Sequence, residues 1–140
     1  MKTYSKITSH IVMVGHLNAG HSLFGGLLVQ WVDEAASIYT MRLLGTRNVV
    51  TKKISEVIYD EPTHLGDILE IFMRIKAVGV TSITIECVVQ ARKIEVHEKT
   101  RTILNCNLVF VKLDGVGRPE AHHFRAEDEA DEQRTCLDTK

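Results

Sequence analysis

Asp33 stands in the apolar stretch 27–44, seven residues after Gly26 and eight after Gly25. On a helix seven residues make about two turns, so Gly26 and Asp33 share a face about 10 Å apart. Gly26, Gln30, Asp33 and Ser37 then form a narrow polar stripe on a surface that is otherwise mostly apolar. A carboxylate on a largely buried helix costs free energy unless it is paired or used. One use is to take a proton from a water molecule. The alternative is a structural carboxylate that caps a loop or meets a cation such as Arg42 or Lys53. Glu34 points about 100° away around the helix. It either serves in place of Asp33 or pairs with a neighbouring subunit.

Phe24-Gly25-Gly26 leads directly into this stretch. Two glycines at a helix start allow another backbone or a ligand to approach closely. The first N–H groups of a helix point outward with partial positive charge, which suits an oxyanion formed as a carbonyl is attacked. The alternative is a tight loop-to-helix junction with no ligand. Asn18 and Ser22, in the preceding loop, can orient a water or a carbonyl, or simply form turns and caps. His16 and His21 flank them as candidate general bases, or as exposed loop histidines.

The elements that must position these residues follow from periodicity. Leu27, Leu28, Trp31, Val32, Ala35, Ile38, Tyr39 and Leu43 recur at spacings of three and four, which predicts one helix over 25–44, ended by Gly45. More than half of its circumference is apolar, so it is expected to be largely buried. A weak strand over 3–14 precedes it. Four strands follow over 48–59, 67–78, 82–92 and 101–113. Val50, Ile54 and Ile58 share one parity of the first of these, and Ile83, Ile85, Cys87, Val89 and Ala91 one parity of the third. Period-2 alternation predicts a sheet with one covered and one wetter face. The short break 77–80 predicts a hairpin. Beyond Pro119 the chain is charged and poor in apolar residues, so a domain over 1–120 and a mobile acidic tail over 121–140 are expected. His122 and His123 fall in that tail and are expected to be exposed, with no metal site. One helix and a run of antiparallel strands make an α+β fold in which the sheet wraps the helix. A second subunit would help to cover the remaining apolar surface.

A chain of 140 residues favours one domain, and a net charge of -1 offers nothing global to nucleic acid or an anionic membrane. No apolar run reaches the length of a membrane span, and the first residues do not read as a signal peptide. Three cysteines without a CxxC pair point to a reducing, cytoplasmic compartment. Cys87 and Cys106 read as buried small hydrophobes.

Asn18 to Gly26, followed by Trp31-Val32-Asp33-Glu34-Ala35-Ala36, resembles the hotdog-fold acyl-CoA thioesterases of the acyl-CoA hydrolase group. The likeness continues through Asn48-Val49-Val50-Thr51, Tyr59-Asp60-Glu61-Pro62 with Gly66-Asp67, Gly79-Val80-Thr81-Ser82, and 114–119. It covers about residues 5–120 in order. It implies a long central helix wrapped by a five- or six-stranded antiparallel sheet. It also implies a homodimer with active sites at the interface, where the Asn18 loop of one chain faces Asp33 of the other, and assembly into a hexamer as a trimer of dimers.

In this resemblance Asp33 is the general base or nucleophile, Gly26 N–H the oxyanion donor, and Asn18 and Ser22 the partners that orient water or carbonyl. Phe24 and Gly25 border the substrate, and the acyl chain runs near Trp31 and Leu27. Val50, Thr51, Gly79, Thr81 and Ser82 lie along coenzyme A, which is substrate, so no separate cofactor is implied. Three positions depart from the family pattern: His21 where Gly is usual, Ser22 where Thr, Asn or Asp is usual, and Val80 where Arg is common. Lys52, Lys53, Arg92 and Arg101 are candidate replacements for that arginine. A non-catalytic acyl-CoA sensor and a hotdog dehydratase or hydratase, built on His16 or His21, are the rival functions.

Overall fold

In the computed structural model, which describes residues 3–128, five strands and one long helix follow the expected order. They are β1 (Ser5–Ile11), α1 (Gly25–Leu44), β2 (Val49–Tyr59), β3 (Ile68–Val78), β4 (Ser82–Ala91) and β5 (Arg101–Lys112). The strands form one antiparallel sheet in the order β1-β3-β4-β5-β2. The helix lies across its inner face.

The helix ends where its sequence says it must. Gly45 takes a left-handed φ of 63°, which a residue with a Cβ adopts only at a cost. Leu28, Trp31, Val32, Ala35, Ala36 and Tyr39 are buried against the sheet. Gln30, Glu34, Ile38 and Arg42 form an exposed ridge. Burial is thus confined to one side, and the apolar ridge residue Ile38 is 41% exposed.

Central strands obey the period of two. Along β4, Ile83, Ile85, Cys87, Val89 and Ala91 are buried, and the residues between them are half-buried. Cys87 and Cys106 face each other across β4 and β5 inside this core, as free thiols. The hydrogen bond with the Cys106 thiol, and then burial, push the Cys87 thiol up, whereas the same bond draws Cys106 down. The β3–β4 connection is the expected hairpin. Gly79 N–H donates to Ser82 O at 2.8 Å, and a Cβ on Gly79 would lie 2.4 Å from Ser82 Oγ, so the turn needs glycine.

β2, at the sheet edge, departs from the expected parity. Its register against β5 shifts twice, between Thr51 and Lys53 and between Ser55 and Ile58. Glu56 sits at φ 54° in the second irregularity. Each extra residue re-aims the side chains that follow it. Val50 and Ile58, expected on one face with Ile54, are therefore 42% and 52% exposed, while Ile54 packs on the core.

A second correction concerns the C-terminal segment. The mobile tail expected from 121 does not begin there. His122 N–H donates to Val80 O, its Nε2 meets Ser82 O at 2.9 Å, and Phe124 is buried. Residues 121–125 are thus docked on the β3–β4 hairpin, and His122 is half-buried rather than exposed. Residues 129–140, with the rest of the expected tail, lie outside the described residues.

Candidate active site

The helix and the edge strand meet at the carboxylate. Thr51 Oγ1 donates to Asp33 Oδ1 at 2.7 Å, and both residues are half-buried. The alternatives Arg42 and Lys53 do not supply the partner; a hydroxyl does. A neutral donor fixes the rotamer without a counter-charge and leaves Oδ2 to act as an acceptor. The sequence contains Thr51 as a substrate-side residue, but its bond to Asp33 depends on the strand irregularity at 51–53 and has no sequence signal. Glu34, one residue on, is exposed and accepts from Gln30 Nε2 at 3.1 Å.

At the helix mouth the two glycines make room for aromatic rings. A Cβ on Gly26 would lie 2.9 Å from the Phe24 ring, and one on Gly25 would lie 3.2 Å from the Tyr59 hydroxyl. Tyr59 donates to Gly25 O at 3.0 Å. Burial pushes its phenol up, which keeps it a donor. Phe24 precedes the first turn and gives no side-chain cap. The Gly25 and Gly26 N–H groups, in the first turn, therefore have no side-chain acceptor at the helix end.

The loop before the helix is closed on itself. Asn18 Oδ1 accepts from Gly20 N–H at 2.9 Å and Ser22 N–H at 3.2 Å, and Asn18 N–H donates to Ser22 O at 2.7 Å. The turn-forming role open to Asn18 is thus occupied by its carbonyl, while its NH₂ end is directed away from these bonds. His21 stands at φ 60°. That left-handed position is one where glycine costs least, which explains why glycine is usual there. Leu23 N–H donates to the buried Thr63 hydroxyl and ties the loop to the 60–67 segment.

Trp31 is 7% exposed. Its ring stacks on His10 (centroids 4.3 Å, planes 5° apart) and meets His16 edge-on at 5.1 Å. The acyl chain expected along Trp31 would find little free ring surface there. Leu27, only partly buried, offers more. Neither histidine contact had a sequence signal. Burial, eased by Glu34, pulls the His10 imidazole down, so it favours the neutral form.

At the other end of the helix, Thr81 and Ser82 are half-buried and Val80 is 75% exposed. Their carbonyls are engaged: Thr81 O accepts from Lys112 N–H, and Ser82 O meets His122. A separate cavity of about 330 Å³ is lined by His64, Asp67, Glu98 and Lys99, and by Arg92 and Arg101, two of the candidate replacements for the missing arginine; none of the expected catalytic residues lines it. Among the described residues no three His, Cys, Asp or Glu side chains gather as a metal site. No helix among them is long and apolar enough to cross a membrane.

A helix wrapped by a five-stranded antiparallel sheet, with a carboxylate at mid-helix, is the arrangement of a hotdog domain. Residues 20–97 match the thioesterase superfamily, and the chain belongs to that family. An uncharacterised acyl-CoA thioester hydrolase of Zymomonas mobilis is 32% identical over 109 residues, covering 78% of this chain and 72% of the relative. An acyl-CoA hydrolase of Staphylococcus aureus, solved with butyryl coenzyme A, coenzyme A and coenzyme A disulfide, superposes with a TM-score of 0.75 at 28% identity. It covers 81% of this chain and 68% of its own. A hexameric hotdog fold thioesterase of Campylobacter jejuni superposes with a TM-score of 0.75 at 24% identity, covering 91% and 96%.

Proposed function

We propose that this chain is an acyl-CoA thioesterase in which Asp33, held by Thr51, activates the attacking water. The Thr51–Asp33 hydrogen bond carries this reading. A half-buried carboxylate on a helix face, held by a hydroxyl and with no cationic partner among the described residues, is arranged for use. The named substrates of the relatives support the acyl-CoA class. The Staphylococcus aureus protein has also been solved with an aspartate, and separately a threonine, replaced by alanine. Those are the two residue types bonded here.

In the proposed reaction Asp33 Oδ2 takes a proton from water as the water oxygen attacks the thioester carbon. The carbonyl electrons move to oxygen, which the Gly26 N–H receives at the helix mouth. As the intermediate collapses the C–S bond breaks, coenzyme A leaves as thiolate, and the proton returns to sulfur. The alternative course has Asp33 attack the carbon itself; the C–S bond breaks, coenzyme A leaves as thiolate, and water opens the resulting mixed anhydride to the free acid and the Asp33 carboxylate. The Asn18 NH₂ group and the Ser22 hydroxyl orient the water or carbonyl. Phe24 and Leu27 border the acyl chain. Val50, Thr51, Gly79, Thr81 and Ser82 follow the coenzyme A.

The Asn18 loop and Asp33 come from different protomers in this proposal. The exposed edge of β2, with Val50, Ile58 and Tyr59, and the Ile38 ridge supply apolar surface for a homodimer. Hexameric thioesterases of the same fold support assembly to a hexamer, for which the proposed arrangement is a trimer of dimers. A cytoplasmic location fits the two free core thiols.

The test is release of coenzyme A thiol from a panel of acyl-CoAs by wild type and Asp33→Ala. The proposal expects turnover by wild type, with the panel reporting chain-length preference, and its loss in the variant. Binding without turnover by wild type would favour the sensor. Hydration of an enoyl-CoA instead would favour the dehydratase or hydratase.

A further inference from the structure

His16 closes the neck of the Asn18 loop with three hydrogen bonds. Its backbone N–H donates to Met13 O at 3.0 Å, and its carbonyl accepts from Phe24 N–H at 2.9 Å. Its Nδ1 accepts from Met13 N–H at 3.0 Å. The second bond joins the start of the loop to the residue just before Gly25 and Gly26. The Leu17–Leu23 bridge continues the neck. The same imidazole then stands edge-on to Trp31, two residues before Asp33, and the face of Trp31 rests on His10. One chain of contacts therefore runs from β1 through the helix to the loop that carries Asn18 and Ser22.

From this geometry we infer that His16 is a positioning residue, which locks the Asn18 loop to the helix mouth of its own chain and so sets how that loop faces Asp33 of the other protomer. The inference rests on the thioesterase reading for its effect on turnover, though not for the lock itself. An Nδ1 that accepts must be unprotonated, so the ring carries its proton on Nε2. The groups around it are few. His10 on β1 interacts electrostatically with Glu34 on α1 and with His16 itself. The adjacent 63–67 segment carries His64 and Asp67, and Asp67 is already engaged by Arg101 and by His64 N–H.

Trp31 is the one tryptophan of the chain, so intrinsic fluorescence reports on this cluster directly. The experiment compares wild type, His16→Ala and His16→Asn in the full-length protein. Trp31 fluorescence, hydrogen exchange over 16–24, kcat and KM are the readouts. Asn keeps an acceptor at the Nδ1 position and does not titrate. The expected result at pH 8 is a kcat about tenfold lower in His16→Ala with KM within about twofold, and most of the loss restored in His16→Asn. Exchange over 16–24 rises about fivefold or more in His16→Ala and less in His16→Asn.

Wild-type exchange in His16→Ala, or a His16→Asn variant no better than His16→Ala, overturns the lock. If wild type hydrolyses no acyl-CoA, the thioesterase reading fails, and fluorescence and exchange still decide whether the lock exists.

Discussion

Strands β4 and β2 lie on either side of β5 and obey different rules. β4, in the sheet interior, alternates buried and half-buried residues along its whole length. β2, at the edge, breaks register twice and exposes three of its large apolar side chains. A strand packed on both sides loses core contacts at any irregularity. An edge strand has one side free and tolerates bulges. The first irregularity of β2 falls beside Thr51, whose hydroxyl reaches Asp33. The other ladders each shift register once, whereas β2 shifts twice against β5, and its first irregularity delivers a polar group to the helix.

That contrast can be broken at either strand. Asp33→Ala, on the functional side, is expected to lower kcat at least ~100-fold, the scale of general-base loss, with the thermal midpoint barely changed. Leu108→Ala, in the regular core next to β4, is expected to cost about 2–5 kcal/mol of stability, with kcat per folded molecule preserved. Leu108 is fully buried. Equal loss of stability in both variants, by denaturant unfolding, would erase the distinction. Thr51→Val removes the hydroxyl at nearly constant shape. It is expected to cost about tenfold in kcat, the worth of a hydrogen bond to a charged group, while Thr51→Ser keeps most of the activity.

The smallest effect concerns pH. Burial lowers the His10 imidazole in the folded protein, so between its lowered value and the ordinary histidine value the unfolded chain binds more protons. Stability from this group is complete above the ordinary value, near pH ~6.5, and is lost as pH falls through the lowered one. The thermal midpoint should therefore drop from pH 8 to pH 5.5 by more in wild type than in His10→Gln.

The same contrast explains what the sequence carried. The helix was readable to within its ends, because its apolar spacing and Gly45 are both residue-type signals. β3, β4 and β5 were readable from alternation. Asp33 stood out as a charge on an apolar helix, and the Asn18 loop through its resemblance to the family. The turns in β2 left no such mark: Glu56 adopts a positive φ where a glycine would have signalled one. With the parity of β2 misread, the partnership of Thr51 and Asp33 could not be seen. The docked segment 121–125 was missed because Phe124 is a lone apolar residue among charges, and one residue has no period. The stack of His10, Trp31 and His16 joins a weak strand, a helix and a loop, a juxtaposition that only the tertiary fold creates.

The most direct test of the central claim is a double-mutant cycle on thiol release, using Asp33→Asn, Thr51→Val and the two together. If Thr51 acts by holding the catalytic carboxylate, the double variant is no slower than Asp33→Asn alone, because the hydroxyl has nothing left to position. Fully additive losses would mean that the two residues act independently, and the account of a held, water-activating Asp33 would be wrong.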